Sequence, residues 1–208
     1  MDILSTLSVM LGSSWISGLN AYAAIGFLGL FGRMGWIHLP ESLHPLTHPA
    51  VFGIALFFYL VEFIADKIPA FDSFWDSIQT FFRIPAGALM AYGAVGDVSP
   101  ELKVISTIVG GTLALTAHTA KSSLRAVANM APEPVSNWFL SFGQDFLVLS
   151  SIWLMFQHPW AMLAVLFVFL IFFIWFIPKI FRLMKWVFQK MTSPFRKTPS
   201  LNDGKGAL

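Results

Sequence analysis

ILSTLSVMLGSSWISGLNAYAAIGFLGLFG, residues 3–32, is a stretch of 30 residues without a charge, and it decides the fold. A helix needs about 20 apolar residues to cross the hydrocarbon layer of a membrane. Glycine and alanine recur along the stretch at spacings that allow a neighbouring helix to approach closely. Because Asp2 is the only charged side chain before this stretch, with no Lys or Arg, and a signal-peptide core is about 7–15 residues long, we predict a permanent first span in the interior of a bundle.

The composition of the whole chain also indicates a membrane protein. Of its 208 residues, 56% are hydrophobic and 12% are charged, whereas soluble domains carry roughly 25% charged residues. The chain has 22 Phe and 8 Trp, more than a soluble core of this size normally holds. Cysteine is absent, which excludes disulfides, thiolate metal sites and cysteine nucleophiles. We predict an all-α, polytopic transmembrane helix bundle.

Apolar segments divide the chain into six expected spans within one transmembrane domain, 1–178. The segment 69–84 mixes aromatic and charged residues, including Asp72, Asp76 and Arg83, and is typical of a re-entrant or interfacial helix. The short segment that follows, 86–96, is the expected third span, which either crosses the membrane completely or is a broken helix. The spans are expected at 3–32, 50–68, 86–96, 104–120 with an extension to about 129, 136–156 and 160–178.

The C-terminal segment, 179–208, is predicted to be a basic amphipathic stretch followed by a disordered tail. It holds seven Lys and Arg and one acid, Asp203. Such an excess directly after an apolar span favours the cytoplasmic side of a bacterial inner membrane over a nucleic-acid contact. Six spans then place the N-terminus in the cytoplasm too.

Corresponding polar residues occur in the two halves of the chain. Asn20 and the acidic pair Glu62 and Asp66 in the first half correspond to His118 and the Gln144–Asp145 pair in the second. Two repeats of three spans, 1–98 and 102–178, would insert with opposite orientations, as in many secondary transporters. The similarity is low, so an inverted repeat and six independent helices both stay open.

Polar residues at membrane depth are the candidate functional residues, because an isolated charge there costs roughly 2.5–3.5 kcal/mol on insertion scales. Their spacings align them on helix faces: Glu62 with Asp66 at i, i+4, His118 with Lys121 and Arg125 at i, i+3, i+7, and Asn137 with Ser141 and Asp145 at i, i+4, i+8. For each the alternative is a structural ion pair or an interhelical hydrogen bond, and for Asn20 this alternative is favoured.

The leading hypothesis is a transporter or channel-like protein for a small ion or polar solute. An intramembrane enzyme acting on lipid headgroups through Asp72, Asp76 and Arg83, or a membrane scaffold, is the alternative. No Gly-x-Ser-x-Gly, His-Glu-x-x-His or phosphate loop is present, so an enzyme is the less favoured reading and we expect no cofactor. The expected partners are the lipid bilayer and the transported solute, not nucleic acid. Metal binding and self-association are open.

Several motifs resemble a bacterial integral-membrane family, domain of unknown function 4126. They are residues 17–23, the Glu-x-x-x-Asp-Lys-x-Pro run in 61–76, Arg83-Ile-Pro-Ala-Gly-Ala, and residues 117–125 and 137–145. The resemblance implies a membrane location and marks the polar runs, but it implies no substrate. This chain has Gln144 where the family motif resembles Ser-x-x-Glu-Asp, which makes Asp145 the better candidate.

Overall fold

The structure, a computed structural model, describes residues 2–68, 71–129 and 135–192. These residues form helices and connections and contain no β-strand, which confirms the all-α prediction. The helices are α1 (Ile3–Leu19), α2 (Ala21–Arg33), a short 3-10 helix (Glu41–Thr47), α3 (Pro49–Ala65), α4 (Phe71–Ala94), α5 (Pro100–Ala128), α6 (Val135–Gln157) and α7 (Pro159–Thr192).

Two of the described helices are long and apolar enough to cross a membrane. They contain Trp138–Gln157 of α6 and Pro159–Leu183 of α7. The 3-10 helix and α3, which are bent by 67° at their junction, give a third when counted as one span. Helices α6 and α7 expose many large apolar side chains, among them Phe139, Phe146 and Phe167, which indicates contact with lipid. The protein is therefore membrane-associated, whereas six spans and an inverted repeat stay predictions.

Helix α1 lies in the interior of the bundle, as predicted, and contacts α2, α4, α5, α6 and α7. Serine hydroxyls on it bond to neighbouring helices: Ser8 donates to the carbonyl of Met155 at 3.1 Å and Ser14 to that of Gly87 at 2.8 Å. A Cβ atom at Gly18 would collide with the carbonyl of Ala114 on α5. Small residues thus allow the close helix contact that the sequence suggested.

The first apolar stretch is not one helix, contrary to prediction, because Asn20 breaks it. Asn20 has extended backbone angles (φ −156°, ψ 101°), and its side-chain oxygen accepts from the amide of Ala23 at 2.8 Å. Its own N–H donates to the carbonyl of Ile16 at 2.8 Å. A short amide side chain can cap a new helix in this way, which competes with continuing the old one. Asn20 therefore ends α1 and begins α2.

Most of the predicted re-entrant or interfacial segment 69–84 and of the third span 86–96 forms a single helix, α4 (Phe71–Ala94). Asp76 and Arg83, which were expected at a membrane interface, are buried within the protein at 4% and 0% exposed. The helix continues through Pro85, and hydroxyls of α1 bond to carbonyls on both sides of it, Ser17 to Arg83 at 3.0 Å and Ser14 to Gly87. The polar face of α4 is turned inward because charges of α3 and α5 meet it there.

Candidate functional site

A buried network of charged side chains lies where α3, α4 and α5 meet. It contains three carboxylates and three cations, each no more than 6% exposed: Glu62 from α3 and Asp66 at its C-cap, Asp76 and Arg83 from α4, and Lys121 and Arg125 from α5. We call these six residues the charge network. Two glycines bring α4 and α5 together, since a Cβ at Gly87 would lie 2.5 Å from that of Ala114 and a Cβ at Gly110 would collide with Ala91.

Arg83 is fully buried and holds two carboxylates. Its Nη2 lies 2.5 Å from Glu62 Oε1 and 2.9 Å from Asp76 Oδ1. A guanidinium is always charged and donates in a fixed fork, so it suits this buried position better than an ammonium would. Arg83 therefore joins α3 to α4.

Lys121 lies among all three carboxylates. Its Nζ is 3.1 Å from Glu62 Oε1, 3.3 Å from Asp76 Oδ1 and 3.8 Å from Asp66 Oδ2. It also donates to the carbonyl oxygen of Leu19, 3.1 Å away, at the last residue of α1. Helix ends leave carbonyls without intrahelical partners, and Lys121 satisfies one of them.

Arg125 pairs with the end of α3. Its Nη2 lies 2.6 Å from Asp66 Oδ2, its Nη1 donates to the backbone oxygen of Asp66 at 3.3 Å, and its Nε is 3.9 Å from Asp76 Oδ2. With every acid and base ionised, the network carries three negative and three positive charges. This balance is what allows six charges to be buried together.

His118 is a neutral member of the site. Arg83 Nη1 lies 2.9 Å from His118 Nδ1, and since arginine can only donate, Nδ1 must accept. The proton of the neutral ring is then on Nε2, which lies 2.7 Å from Thr80 Oγ1. Thr80 in turn donates to the backbone oxygen of Asp76 at 3.0 Å. The hydrogen bonds thus assign both the tautomer and the role of each partner.

The three carboxylates have the spacing of a metal site, since one oxygen from each lies within 4.8 Å of the others. The Nζ of Lys121 already lies within 3.8 Å of each of them, so its ammonium supplies positive charge where a cation would sit. Glu62 Oε2 and Asp66 Oδ1 have no hydrogen-bond partner. These two oxygens are acceptors that a bound species could use.

A polar cleft of about 230 Å³ reaches the charge network between α4 and α5. Its walls carry hydroxyls, an imidazole and both signs of charge: Asp76, Ser77, Thr80, His118, Ser122 and Arg125, with Ala126. A small polar species in this cleft would contact Asp76, His118 and Arg125 directly.

The remaining predicted site residues are not members of the ion-paired network as the described residues show it. Asp145 interacts with the Tyr59 hydroxyl and with Lys67, whose Nζ lies 3.5 Å from the buried Ser141 hydroxyl and over the Phe63 ring at 3.0 Å. The side chains of Asn137 and Asp72 are outside the described part of the structure. Asn20 is a helix cap, in agreement with the structural alternative.

Comparison with protein families identifies the chain. Residues 7–179 match a family described as a domain of unknown function, DUF4126. The chain belongs to this family. The expected resemblance is thereby confirmed, and the DUF4126 runs at 61–76, 83–88 and 117–125 supply every member of the charge network. No curated protein and no solved structure matches the chain.

Four polar residues of α4 in this DUF4126 protein lie on one helix face, although the sequence analysis does not group them. Asp76 and Arg83 were assigned to an interfacial segment, and Gln79 and Thr80 were not singled out. Their spacing of i, i+3, i+4 and i+7 from Asp76 places all four on one helix face, a signal that was available. The carbonyl of Leu19 could not be found from sequence, because its role depends on the helix break.

Proposed function

We propose that this protein is a transporter or channel-like protein for a small ion or polar solute, with the charge network as its central site. The observation that carries the proposal is the contact of Lys121 Nζ with three carboxylates and with a backbone carbonyl at the break between α1 and α2. Broken helices with exposed backbone carbonyls at a polar centre are typical of transporter binding sites.

Energetic cost supports a functional role for the network. Well-packed apolar side chains often stabilise a core as much as a buried ion pair does, or more. Charges in a membrane-associated bundle are therefore retained where they have a use, most often an ion or proton pathway.

The contacts suggest how the site would work. A solute in the cleft meets Asp76, His118 and Arg125 and competes with Lys121 for the carboxylates. A proton that arrives at His118 Nδ1 replaces the hydrogen bond from Arg83, so protonation of the ring weakens the hold of Arg83 on α5. Repulsion between the imidazolium and the guanidinium then displaces Arg83, whose Nη2 pairs with Glu62 and Asp76 lengthen, and the exchange of these pairs for the solute couples a proton to it.

The same proposal includes the finer topology. It takes six spans from the apolar segments and a cytoplasmic C-terminus in a bacterial inner membrane from the basic segment that follows them, and an even number of spans then puts the N-terminus on the same side. The lipid-headgroup enzyme is disfavoured because Asp76 and Arg83 are buried and pair with each other and with charges of other helices.

Flux into proteoliposomes tests the proposal. The panel includes protons, Na⁺, K⁺, chloride, phosphate and small neutral polar solutes, with Glu62→Gln and His118→Ala as variants. Glu101→Gln is the matched control, because Glu101 is exposed and outside the network. We expect flux of at least one species in the wild type and the control, with loss in both variants. Equal flux in folded variants and wild type, or no flux for any species, would overturn it and favour a scaffold.

A further inference from the structure

A second polar pocket, of about 310 Å³, lies at the end of α2, beside the loop and the 3-10 helix that follow it. Arg33, His38, His44 and Thr47 line it, together with apolar residues and glycines. None of the described residues in its wall is acidic. No member of the charge network lines this pocket, so a ligand there does not depend on the transport proposal.

The end of α2 leaves the side chain of Arg33 available to a ligand. Gly35 has a positive φ of 73°, and the amides of Gly35 and Trp36 donate to the carbonyls of Gly32 and Phe31. This closing turn satisfies both carbonyls, so they do not need the guanidinium. The Arg33 side chain is exposed and forms no hydrogen bond or ion pair with any described residue.

The two histidines of the pocket differ in what they offer a ligand. His44 Nε2 lies 3.1 Å from the carbonyl oxygen of Leu39, and because a carbonyl only accepts, the proton on this nitrogen is already used. The His38 ring is exposed and has no hydrogen-bond partner among the described residues. A neutral imidazole has one N–H, so His38 supplies a donor in either tautomer.

The donors of Arg33 and His38 select an anion with more than two oxygens. An arginine fork donates two parallel hydrogen bonds to a carboxylate or a phosphate, and these use both oxygens of a carboxylate. A phosphate keeps further oxygens, which accept from His38. We propose that this pocket binds a phosphate group, carried either by a phospholipid headgroup or by a soluble phosphate.

A metal cation fits this pocket less well than an anion does. Arg33 is always charged, and a second positive charge beside it is unfavourable. His38 and His44 also belong to no group of three possible metal ligands in the part of the chain that the structure describes.

A neighbouring tryptophan indicates that the pocket lies at the depth of lipid headgroups. Trp36 lies in the loop between Arg33 and His38, is 61% exposed, and stacks on Phe31 with ring centroids 5.3 Å apart. Tryptophans are enriched where a membrane protein crosses the boundary between lipid and water. Phosphate groups of lipids are concentrated at this depth, so the position favours a lipid as their source.

Ligand binding to the full-length protein in a neutral detergent tests the proposal. Native mass spectrometry compares phosphatidylglycerol with diacylglycerol of the same acyl chains, and calorimetry measures inorganic phosphate and glycerol 3-phosphate. We expect phosphatidylglycerol to bind at concentrations about tenfold lower than diacylglycerol, because only the former carries the phosphate. Tighter binding of phosphatidylglycerol than of glycerol 3-phosphate assigns a lipid source, and the reverse order assigns a soluble one.

Variants connect the binding to this pocket. Arg33→Gln removes the charge and the fork and should weaken phosphate binding about tenfold, whereas Arg33→Lys keeps the charge and should lose less. His38→Ala removes one neutral donor and should also lose less than Arg33→Gln. Arg182→Gln and His158→Ala are the matched controls, because both residues are exposed and lie outside the pocket, and they should bind as the wild type does.

Unchanged affinity in both Arg33→Gln and His38→Ala would overturn the proposal. Neither side chain has a partner in the described structure, so we expect both variants to fold. Equal binding of phosphatidylglycerol and diacylglycerol would mean that the acyl chains alone are recognised. An equal loss in Arg182→Gln and Arg33→Gln would mean that positive charge acts without a site, and no binding of any phosphate would also decide against the pocket.

Discussion

Lys121 Nζ donates a hydrogen bond to the carbonyl oxygen of Leu19 across 3.1 Å, and so fastens the broken end of α1 to the carboxylates of α3 and α4. The two residues are 102 positions apart in the sequence. The ammonium of Lys121 thus binds a backbone carbonyl at the end of α1 and also partly neutralises three buried carboxylates. Lys121 therefore connects α1 with both α3 and α4.

Replacement of Lys121 should therefore be strongly destabilising. Lys121→Met keeps the length of the side chain but leaves the buried carboxylates short of a cation, and the loss of one partner in a buried pair costs about 3–5 kcal/mol. Thermal unfolding in detergent measures the effect. Lys103→Met is the control, because the Lys103–Asp97 pair is long, at 3.7 Å, and exposed on the Asp97 side. A melting temperature lowered equally in both variants would contradict the central place of Lys121.

Glu62 and Arg83 should show strong coupling. Each single variant, Glu62→Gln or Arg83→Gln, leaves an unbalanced buried charge, whereas the double variant restores the balance between acids and bases. We expect a coupling free energy of about 1–3 kcal/mol from a double-mutant cycle of unfolding. Additive effects would mean that the two side chains do not stabilise each other, in conflict with their 2.5 Å contact.

Asn20 should behave as a helix cap. Asn20→Ala removes the acceptor for the Ala23 amide and should cost about 0.5–2 kcal/mol, whereas Asn20→Ser retains a capping oxygen and should cost less. Thermal unfolding ranks the three proteins. Hydrogen exchange at the Ala23 amide should be faster in the alanine variant alone, and unchanged exchange there would argue against the cap.

Gly18 should not tolerate a methyl group. Gly18→Ala drives a Cβ into the carbonyl of Ala114, and such overpacking typically costs about 1–3 kcal/mol. Gly53→Ala is the matched control on α3, where a Cβ meets nothing within 4 Å and alanine should be neutral or stabilising by up to about 1 kcal/mol. The difference in melting temperature between the two variants measures how closely α1 and α5 approach. Equal melting temperatures in the two variants would mean that α1 and α5 can move apart without a loss of stability.

The spacing of polar residues along the helices predicts part of this site, but not which helix faces are buried against each other. Glu62 with Asp66, and His118 with Lys121 and Arg125, were placed on common faces because a 3.6-residue period fixes which side chains align. The same period cannot say whether the charged face of α4 meets water or protein, so Asp76 and Arg83 were assigned to an interface.

The break at Asn20 was hidden for another reason. The stretch around Asn20 contains no proline and no charge that would mark a helix end. Whether the side-chain oxygen of an asparagine caps a new helix depends on the neighbouring helices. Whether Asp145 belongs to the central site stays a prediction, because the distance between helices is not contained in sequence spacing. Its side chain interacts with Tyr59 and Lys67, and electrostatically with Asp66 and Lys121 of the charge network.

The separations within the charge network have a consequence for the order in which the protein is made. Glu62 is synthesised 21 residues before Arg83 and 59 residues before Lys121, so it leaves the ribosome long before either cation that will neutralise it. Arg83 of α4 can neutralise Glu62, but until α5 has been made Asp66 lacks a cation and its burial carries a large penalty. A chain truncated before Lys121 would therefore lack both cations that pair with Asp66, Lys121 and Arg125.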